Sequence, residues 1–468
     1  MKKLLLLVCA AACMTALQAQ PINKKGGLSM EQVNMLRSTY QANPTNKALR
    51  NAINANDISK LAQNYDNNTA FDPHISNTVP SKAITNQESS GRCWMFTGMN
   101  VLRNKAIRKY DLPADFQFSQ CYTFFYDQLE KANLFLQAIL DTRAKSMEDE
   151  TVQWLFKNPL SDGGQFTGGA NLMTKYGVVP KEAMPETYNS NHTSQISGLI
   201  KLRLREDGLR LREMANNKGT TEAKLQAAKM EMLETIYRML VYAYGEPPTE
   251  FTWTQRNSKG EVVSTEKYTP MSFFNKFVNE DFANYYMVMN DPTREYYKVY
   301  EIQYDRHVYD GQNWKFLNLP MPEISRMAID SIKDSTMMYF SCDVSKFLDR
   351  KRGIADLRNY DFESIFGVRF GMDKAQRIRS FDSGSTHAMT LKAVDLDEQG
   401  KPIKWEVENS WGASNGHQGH IIMTDEWFDN YMFRLVINKK YATEKILQAS
   451  QQKPILLPCW DPMFSSEE

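Results

Sequence analysis

The sequence QESSGRCW at residues 87–94 places a cysteine between a glycine-containing turn and the start of a predicted helix. From Cys93 onward, apolar side chains recur at helical spacing, and no proline follows until Pro113. We therefore predict Cys93 at the first turn of a buried helix, where the helix dipole and a nearby imidazolium favour the thiolate. A structural core cysteine is the alternative, because burial is the commoner fate of a free cysteine.

Two later stretches supply a base and a residue that orients it. In the sequence STHAMT a loop enters a predicted buried strand at His387, and the sequence VENSWG, which contains Asn409, ends a second strand. A turn at Gly400 joins these strands and is predicted to bring Asn409 back beside His387. The Asn409 side-chain oxygen would accept the imidazole N–H and orient the ring as a general base, while Trp411 would shield that bond from water. Taken alone, His387 would equally fit a core histidine.

Gln87 is the candidate for stabilising the oxyanion that forms during acylation. It precedes Cys93 by six residues, so its amide NH2 and the Cys93 backbone N–H could face the same oxygen. A solvated loop glutamine is the alternative. Among the six histidines, His417 and His420 form an HxxH pair, but no third ligand stands at suitable spacing, so neither a metal nor a cofactor is predicted.

The bulk composition is typical of a soluble globular protein. Hydrophobic residues make up 42% and charged residues 24% of the 468 residues. The 56 basic and 55 acidic residues give a formal net charge of +1, which exerts no global attraction on nucleic acid or anionic membrane. Beyond the N-terminus the cysteines form no CxxC pair, which disfavours a zinc or redox motif; they are Cys93, Cys121, Cys342 and Cys459.

Residues 1–19 have the layout of a secretory signal peptide. A cationic start, MKK, precedes an apolar run from Leu4 to Ala12, and small residues follow, with the expected cut after Ala19. The run is too short for a stable membrane span, and no other stretch is long and apolar enough for one. We therefore expect export, to the periplasm or beyond the cell. Lipoprotein processing at Cys13 is the less favoured alternative.

The order Gln87, Cys93, His387, Asn409 resembles that of the papain superfamily, in which such residues take the oxyanion, nucleophile, base and orienting roles. Cys93 and His387 are about twice as far apart as papain-like enzymes need, which implies a large insertion. The sequences FSQCYTFFYDQLEKANLFL, SDGGQF, EPPTEFTW, MTDEWF and LPCWDPM resemble landmarks of the bleomycin hydrolase and aminopeptidase C family. This resemblance runs from the N-terminal arm to the last residues.

The resemblance implies a thiol aminopeptidase that acts on peptides through a Cys93 acyl-enzyme. It also implies a homohexamer that encloses the active sites, and a substrate site at Gly163 and Gly164, with Trp411 beside it. The C-terminal arm is expected in the active-site cleft, where Glu468 at its tip would meet the substrate ammonium group. The signal peptide and the acidic tip depart from the family, whose members are mostly cytosolic. The acidic tip could favour basic N-termini or require trimming of Glu468.

Helices dominate the first part of the chain and strands the last part, which predicts an α+β fold. The resemblance makes this a papain-like two-lobed fold, with a helical lobe, a β-barrel-like lobe, a large helical insertion and N- and C-terminal arms. The predicted segments are a signal peptide at 1–19, an N-terminal arm at 20–80, a helical catalytic lobe carrying Cys93 at 81–190, a mostly helical insertion at 191–330, a β-rich lobe carrying His387 and Asn409 at 331–440, and a C-terminal arm at 441–468 that reaches the active-site cleft.

Three other functions stay open on the sequence alone. The same chemistry would make an endopeptidase if the C-terminal arm were trimmed or undocked. It would make a thiol acyltransferase if an amine replaced water at the acyl-enzyme. An oligomeric nucleic-acid-binding scaffold is the alternative from another class, supported only by scattered basic residues such as Lys439 and Lys440, which are usually solvated.

Overall fold

The computed structural model describes most of the chain. The predicted signal peptide and the last five residues, with Glu468 among them, lie outside the described residues. The described residues are 24–40, 43–69, 71–81 and 83–463.

The chain divides into two compact units, residues 1–63 and 64–468. In the first unit, three α-helices are each preceded by an N-cap residue whose side chain accepts a backbone N–H of the helix. These N-cap residues are Ser29, Asn43 and Asp57. Such caps satisfy N–H groups that a helix leaves unpaired at its start. These helices are α1 (Met30–Thr39), α2 (Pro44–Ala55) and α3 (Ile58–Leu61).

The α-helices of the second unit fall mainly in its first half. In chain order they are α4 (Tyr65–Thr69), α5 (Cys93–Tyr110), α6 (Gln120–Asp141), α7 (Glu150–Lys157), α8 (Phe166–Tyr176), α9 (Tyr188–Asn191), α10 (Ser194–Asn216), α11 (Glu222–Tyr244), α12 (Pro270–Phe273), α13 (Met321–Lys333), α14 (Phe362–Phe366), α15 (Lys374–Arg379), α16 (Asp425–Tyr431) and α17 (Glu444–Ser450). The helices α6, α10 and α11 pack on one another, and their buried side chains share one apolar cluster with those of α5.

The strands form one large sheet and a separate hairpin. They are β1 (Asn77–Thr78), β2 (Phe251–Arg256), β3 (Val262–Tyr268), β4 (Tyr285–Met289), β5 (Lys298–Ile302), β6 (Lys315–Asn318), β7 (Met338–Cys342), β8 (Leu348–Asp349), β9 (Ile354–Ala355), β10 (His387–Leu396), β11 (Pro402–Glu408), β12 (His420–Thr424), β13 (Met432–Asn438) and β14 (Ile455–Leu457). The large sheet has the order β14-β5-β6-β4-β13-β7-β10-β11-β12-β9-β8, and β1 pairs with β10. The strands β2 and β3 pair with each other.

Strand β10 runs between β7 and β11 in the large sheet. Its residues from His387 to Asp395 are all buried, without the alternation of buried and exposed residues seen in half-exposed strands. Continuous burial of this kind is typical of a strand that is covered on both faces. Both α5 and α13 contact β10. The sheet thereby fixes the direction and depth of the strand that begins at His387.

The mixture of helices and strands agrees with the predicted α+β class. The segment predicted at 191–330 as a mostly helical insertion has its two long helices, α10 and α11, in its first part. Strands β2–β6 lie between Phe251 and Asn318, and β4–β6 join the large sheet. Many β-branched and aromatic residues favour strands there. The two-lobed division and the arms stay predictions. Within the part of the chain that the structure describes, no helix is long and apolar enough to span a bilayer.

Candidate active site

Cys93 is the first residue of α5 and is fully buried. Arg92 is the N-cap, with φ −104° and ψ 16°, and its carbonyl accepts the N–H groups of Met95 and Phe96 at 2.9 and 3.0 Å. The Arg92 guanidinium pairs with Glu186 at 2.8 Å, which anchors the turn before the helix. The positive end of the helix dipole therefore lies at the Cys93 sulfur and favours its ionised form.

His387 and Asn409 form a hydrogen-bonded pair at one end of β10. Antiparallel pairing of Thr390 with Glu408 returns Asn409, the residue after β11, to the end of β10 where His387 lies. Asn409 Oδ1 lies 2.8 Å from His387 Nε2 and also accepts the Ser410 N–H at 2.8 Å. Because the second bond fixes the amide orientation, the oxygen faces the imidazole and Nε2 is the donor. Both side chains are only 3% exposed.

Trp411 lies against the histidine of this pair. Its ring centroid is 4.8 Å from that of His387, with an angle of 30° between the planes. The Trp411 backbone also pairs with Asn86, in the segment just ahead of α5. The indole thus helps to keep the bond between His387 and Asn409 away from water, where a hydrogen bond is stronger.

The helix that carries Cys93 is tied to the strands that carry the pair. Helix α5 contacts β10, and Cys93 and Ala388 belong to the same buried apolar cluster. Arg103 of α5 pairs with Glu408 at the end of β11, at 3.2 Å and buried. Burial lowers the pKa of Arg103, and Glu408 opposes that shift. Cysteine, histidine and asparagine are therefore presented by elements that are joined close to the site.

Gln87 is held beside the residue that follows Asn409. Its backbone N–H donates to the Ser410 carbonyl at 2.8 Å, and its Oε1 accepts from Ser410 Oγ at 2.6 Å. Its Nε2 donates to the Ser90 carbonyl at 2.7 Å. With 5% of its surface exposed, Gln87 is not a solvated loop side chain. The structure thus gathers Gln87, His387, Asn409 and Trp411 into one connected group.

The loop at residues 161–164 is fixed through three consecutive carbonyl groups. Lys131 Nζ donates to the carbonyls of Ser161 and Gly163, at 2.9 and 2.6 Å, and Trp94 Nε1 donates to that of Asp162 at 2.9 Å. A Cβ atom on Gly164 would collide with His307 and would lie 2.8 Å from the Trp94 ring. The predicted substrate loop is therefore packed against the residue next to Cys93.

A second buried histidine, His307, was not singled out by sequence. Its Nδ1 lies 2.6 Å from Asp127 Oδ1, and Asp127 also pairs with Lys131 at 2.9 Å. Burial and the Lys131 charge lower the pKa of His307. Burial alone would raise the pKa of Asp127, but Lys131 and His307 together hold it below its usual value. The spacing of Asp127 and Lys131 on one helix face was a visible signal; their partner is 180 residues away from Asp127.

The HxxH pair lies beside the end of β11, where the Gly419 carbonyl accepts the Asn409 N–H at 3.0 Å. His417 and His420 form an isolated antiparallel bridge, and His420 Nε2 lies 3.7 Å from Glu406. Burial lowers the pKa of His420. Among the described residues there is no group of three or more histidine, cysteine, aspartate or glutamate side chains that could hold a metal ion.

The four cysteines of the described chain are all buried, and none of them forms a disulfide. Burial raises the pKa of Cys121 to about 12 and that of Cys459 to about 11. These two groups therefore remain protonated thiols at neutral pH. Of the four, only Cys93 is the first residue of a helix, while Cys121 is the second residue of α6.

Comparison with known proteins gives matches along nearly the whole chain. The profile of the peptidase C1-like family matches residues 27–464. Aminopeptidase C of Lactobacillus delbrueckii subsp. lactis is 36% identical over 441 residues, which cover 93% of this chain and 98% of that protein. Bleomycin hydrolase of Homo sapiens is 36% identical over 453 residues, covering 94% and 99%. The crystal structure of PepW from Lactobacillus rhamnosis HN001 matches with a TM-score of 0.90 and 36% identity, covering 94% of this chain and 99% of that one.

Proposed function

Because the chain belongs to the peptidase C1-like family and is a cysteine peptidase, we propose that it is an exported thiol aminopeptidase that releases N-terminal residues from peptides. The bond between His387 Nε2 and Asn409 Oδ1, at 2.8 Å, carries the proposal. It orients a base on the strand that contacts α5, whose first residue is Cys93. Export is inferred from the signal-like residues 1–19.

The reaction follows from the order of these groups. With Nε2 bound to Asn409, the other ring nitrogen of His387 exchanges a proton with the Cys93 sulfur. The thiolate bonds to the scissile carbonyl carbon, the C–N bond breaks, and His387 protonates the leaving amine. A water molecule then gives a proton to His387 and attacks the thioester. The S–C bond breaks, which releases the N-terminal residue as a carboxylic acid and restores the thiol.

Gln87 is assigned to the oxyanion. A side-chain amide carries two N–H bonds, and one of those of Gln87 donates to Ser90. The second, together with the backbone N–H of Cys93, would face the negative oxygen of the tetrahedral intermediate. Because Gln87 is held at its backbone N–H, its Oε1 and its Nε2, it requires little reorganisation when that charge forms.

Substrate would lie along Gly163 and Gly164, where no side chain obstructs a peptide. The Gly163 N–H donates to Ser161 Oγ at 3.0 Å and its carbonyl accepts from Lys131, so this loop is rigid before substrate arrives. Trp411 would border the same cleft beside His387. Rigid positioning of this kind lowers the entropy that the reaction has to lose.

The role of Glu468 and the homohexamer also belong to this proposal, and the family resemblance supports them. Asp461 pairs with Arg294 at 2.6 Å, and the Met463 carbonyl accepts from Arg434 at 2.8 Å, so the chain is anchored up to Met463. Five further residues span at most about 17 Å when extended. A carboxylate at Glu468 within that radius would pair with the ammonium group of a substrate and exclude longer chains on that side.

The test is to compare a peptide that has a free N-terminus with its N-acetylated form. We expect single residues to be released from the free peptide, followed by mass spectrometry, and no release from the acetylated one. Cleavage inside the acetylated peptide would refute the aminopeptidase proposal and identify an endopeptidase. Loss of both activities after alkylation of Cys93, mapped by peptide mass, would link either outcome to the same sulfur.

A further inference from the structure

We propose that Arg350 and Trp411 form a subsite for a carboxylate on the leaving-group side of the cleft. The ligand is the free α-carboxylate of the residue that follows the scissile bond, as in a dipeptide. This inference rests on the proposed function, because it places a substrate across Cys93 and His387.

The position of Arg350 is defined by the indole that also contacts the base. Its guanidinium carbon lies 5.3 Å from the Trp411 ring centroid, and the same ring lies 4.8 Å from the imidazole of His387. His387 protonates the leaving amine in the proposed reaction, so the leaving residue lies beside His387. Trp411 is therefore next to that leaving residue, and Arg350 is reached from His387 across the Trp411 ring.

The turn that carries Arg350 is rigid. Asp349, the last residue of β8, accepts the N–H groups of Lys351 and Arg352, each at 3.1 Å, and its carbonyl accepts that of Gly353 at 2.8 Å. The next strand, β9, pairs with β12, which pairs with β11. Asn409 follows β11 directly. Arg350, which follows the outermost strand β8, and His387, which begins the interior strand β10, are thus placed by strands of one sheet.

The charge of Arg350 is available to a ligand. The side chain is exposed, and no carboxylate of the described residues forms an ion pair with it, whereas Arg352 lies 3.6 Å from Asp349. Glu88, near the Asn86 segment that pairs with Trp411, accepts a hydrogen bond from Asn86 Nδ2 at 2.6 Å. A guanidinium over an indole keeps its edge N–H groups free to bind a carboxylate in a forked arrangement.

The reach of a substrate selects the carboxylate. An extended residue spans about 3.3–3.6 Å, so the α-carboxylate of the first leaving residue lies within about one residue length of the nitrogen that His387 protonates. A carboxylate on a third or fourth residue would lie well beyond the Trp411 ring. The subsite therefore favours the last peptide bond of a substrate, and dipeptides over dipeptide amides.

The experiment compares Ala-Ala with its C-terminal amide, Ala-Ala-NH2. In each enzyme the ratio of the two kcat/KM values, acid over amide, is measured from release of free alanine. We expect Arg350→Gln to lower this ratio about two- to fivefold relative to wild type, the range of an exposed ion pair. The matched control is Lys351→Gln, which removes the same charge from the neighbouring exposed residue and should leave the ratio unchanged.

Two results overturn the inference and differ in meaning. If Arg350→Gln cleaves both substrates with the wild-type ratio while its thermal midpoint is unchanged, the subsite is absent and the aminopeptidase proposal stands. If wild-type enzyme releases alanine from neither substrate, the aminopeptidase proposal fails and the subsite fails with it. If Lys351→Gln lowered the ratio equally, the effect would come from the overall positive charge of this turn and not from a site at Arg350. That result would also refute the inference.

Discussion

His387 and His307 are both 3% exposed, and each has a tryptophan ring with its centroid 4.8 Å away. Each is hydrogen-bonded through one ring nitrogen to a side-chain oxygen. The partner of His387 is the neutral amide of Asn409 at 2.8 Å, and that of His307 is the carboxylate of Asp127 at 2.6 Å. Judged by burial and pairing alone, His307 would be the stronger candidate for a base.

The surroundings of the two rings separate them. The His307 ring fills the space that a Cβ atom of Gly164 or Gly168 would enter, so this histidine packs directly against the backbone at both glycines. Its carboxylate partner is further tied to Lys131. His387 instead begins a strand that contacts the helix of Cys93. We infer that His307 holds the loop at residues 161–164 in place, whereas His387 transfers protons.

The largest effect should come from removing the sulfur of Cys93, with which His387 exchanges a proton in the proposed reaction. Cys93→Ala is expected to reduce kcat/KM by at least about 10⁴-fold, because the nucleophile is lost. Cys121→Ala is the matched control, since Cys121 is an equally buried free cysteine in the same apolar cluster and should keep wild-type turnover. Circular dichroism should show both variants folded. Substantial turnover by Cys93→Ala would contradict the proposed mechanism, because His387 would then have no thiol from which to take a proton.

The second effect separates the two histidines by turnover. His387→Ala should lower kcat/KM by about 10³-fold or more, and should lower the free energy of unfolding by about 1–3 kcal/mol because Asn409 loses a buried partner. His307→Gln should lower the free energy of unfolding by about 3 kcal/mol, because Asp127 loses a buried partner, while kcat stays within about tenfold. Urea unfolding and steady-state kinetics on both variants test this. If His307→Gln abolished turnover without loss of stability, the two roles would have to be exchanged.

The smallest effect is on the pH dependence of stability. The pKa of His307 is lowered in the folded protein, so the unfolded chain binds a proton near pH 6.5 that the folded chain does not. Stability therefore falls as pH drops from 7 to 5, by up to about 1.4 kcal/mol per pH unit for this one group. The lowered pKa of Asp127 acts in the same direction at lower pH.

Urea midpoints at pH 5, 6 and 7 for wild type and His307→Gln measure that contribution. The variant should be less stable at pH 7 and lose less stability on acidification. If the stability of both proteins changed equally with pH, His307 would bind its proton equally well in the folded and unfolded chains. That result would contradict the lowered pKa of His307.

Local signals explain what the sequence could predict. A helix that starts at Cys93 and two strands joined at Gly400 are encoded within short stretches, and the structure has both, with Asn409 beside His387. The bond between His307 and Asp127 spans 180 residues, so neither neighbourhood reveals it. Arg350 is one of three consecutive basic residues, Arg350 to Arg352, and nothing in that run distinguishes it from its neighbours. The roles of Gly163, Gly164 and Trp411 stay predictions.

Strand-like sequence is visible from Val299 to Met321, where β5 and β6 lie, but the place of β4 in the large sheet was hidden for a related reason. Strands β4, β5 and β6 are only four or five residues long. β4 gains its place in the large sheet by pairing with β13, whose residues follow more than a hundred positions later. A short apolar run reads alike as part of a buried helix or a strand, and only its partners decide.

One indole joins the predicted substrate loop to the predicted nucleophile. Trp94 follows Cys93 in the chain, and its Nε1 holds the Asp162 carbonyl at 2.9 Å. The spacing between the loop at residues 161–164 and the start of α5 is therefore held by this indole, while Lys131 holds the carbonyls on either side of Asp162. New substrate preferences would have to arise from residues that border this fixed frame, since enlarging Gly164 would displace Trp94 and shift the nucleophile with it.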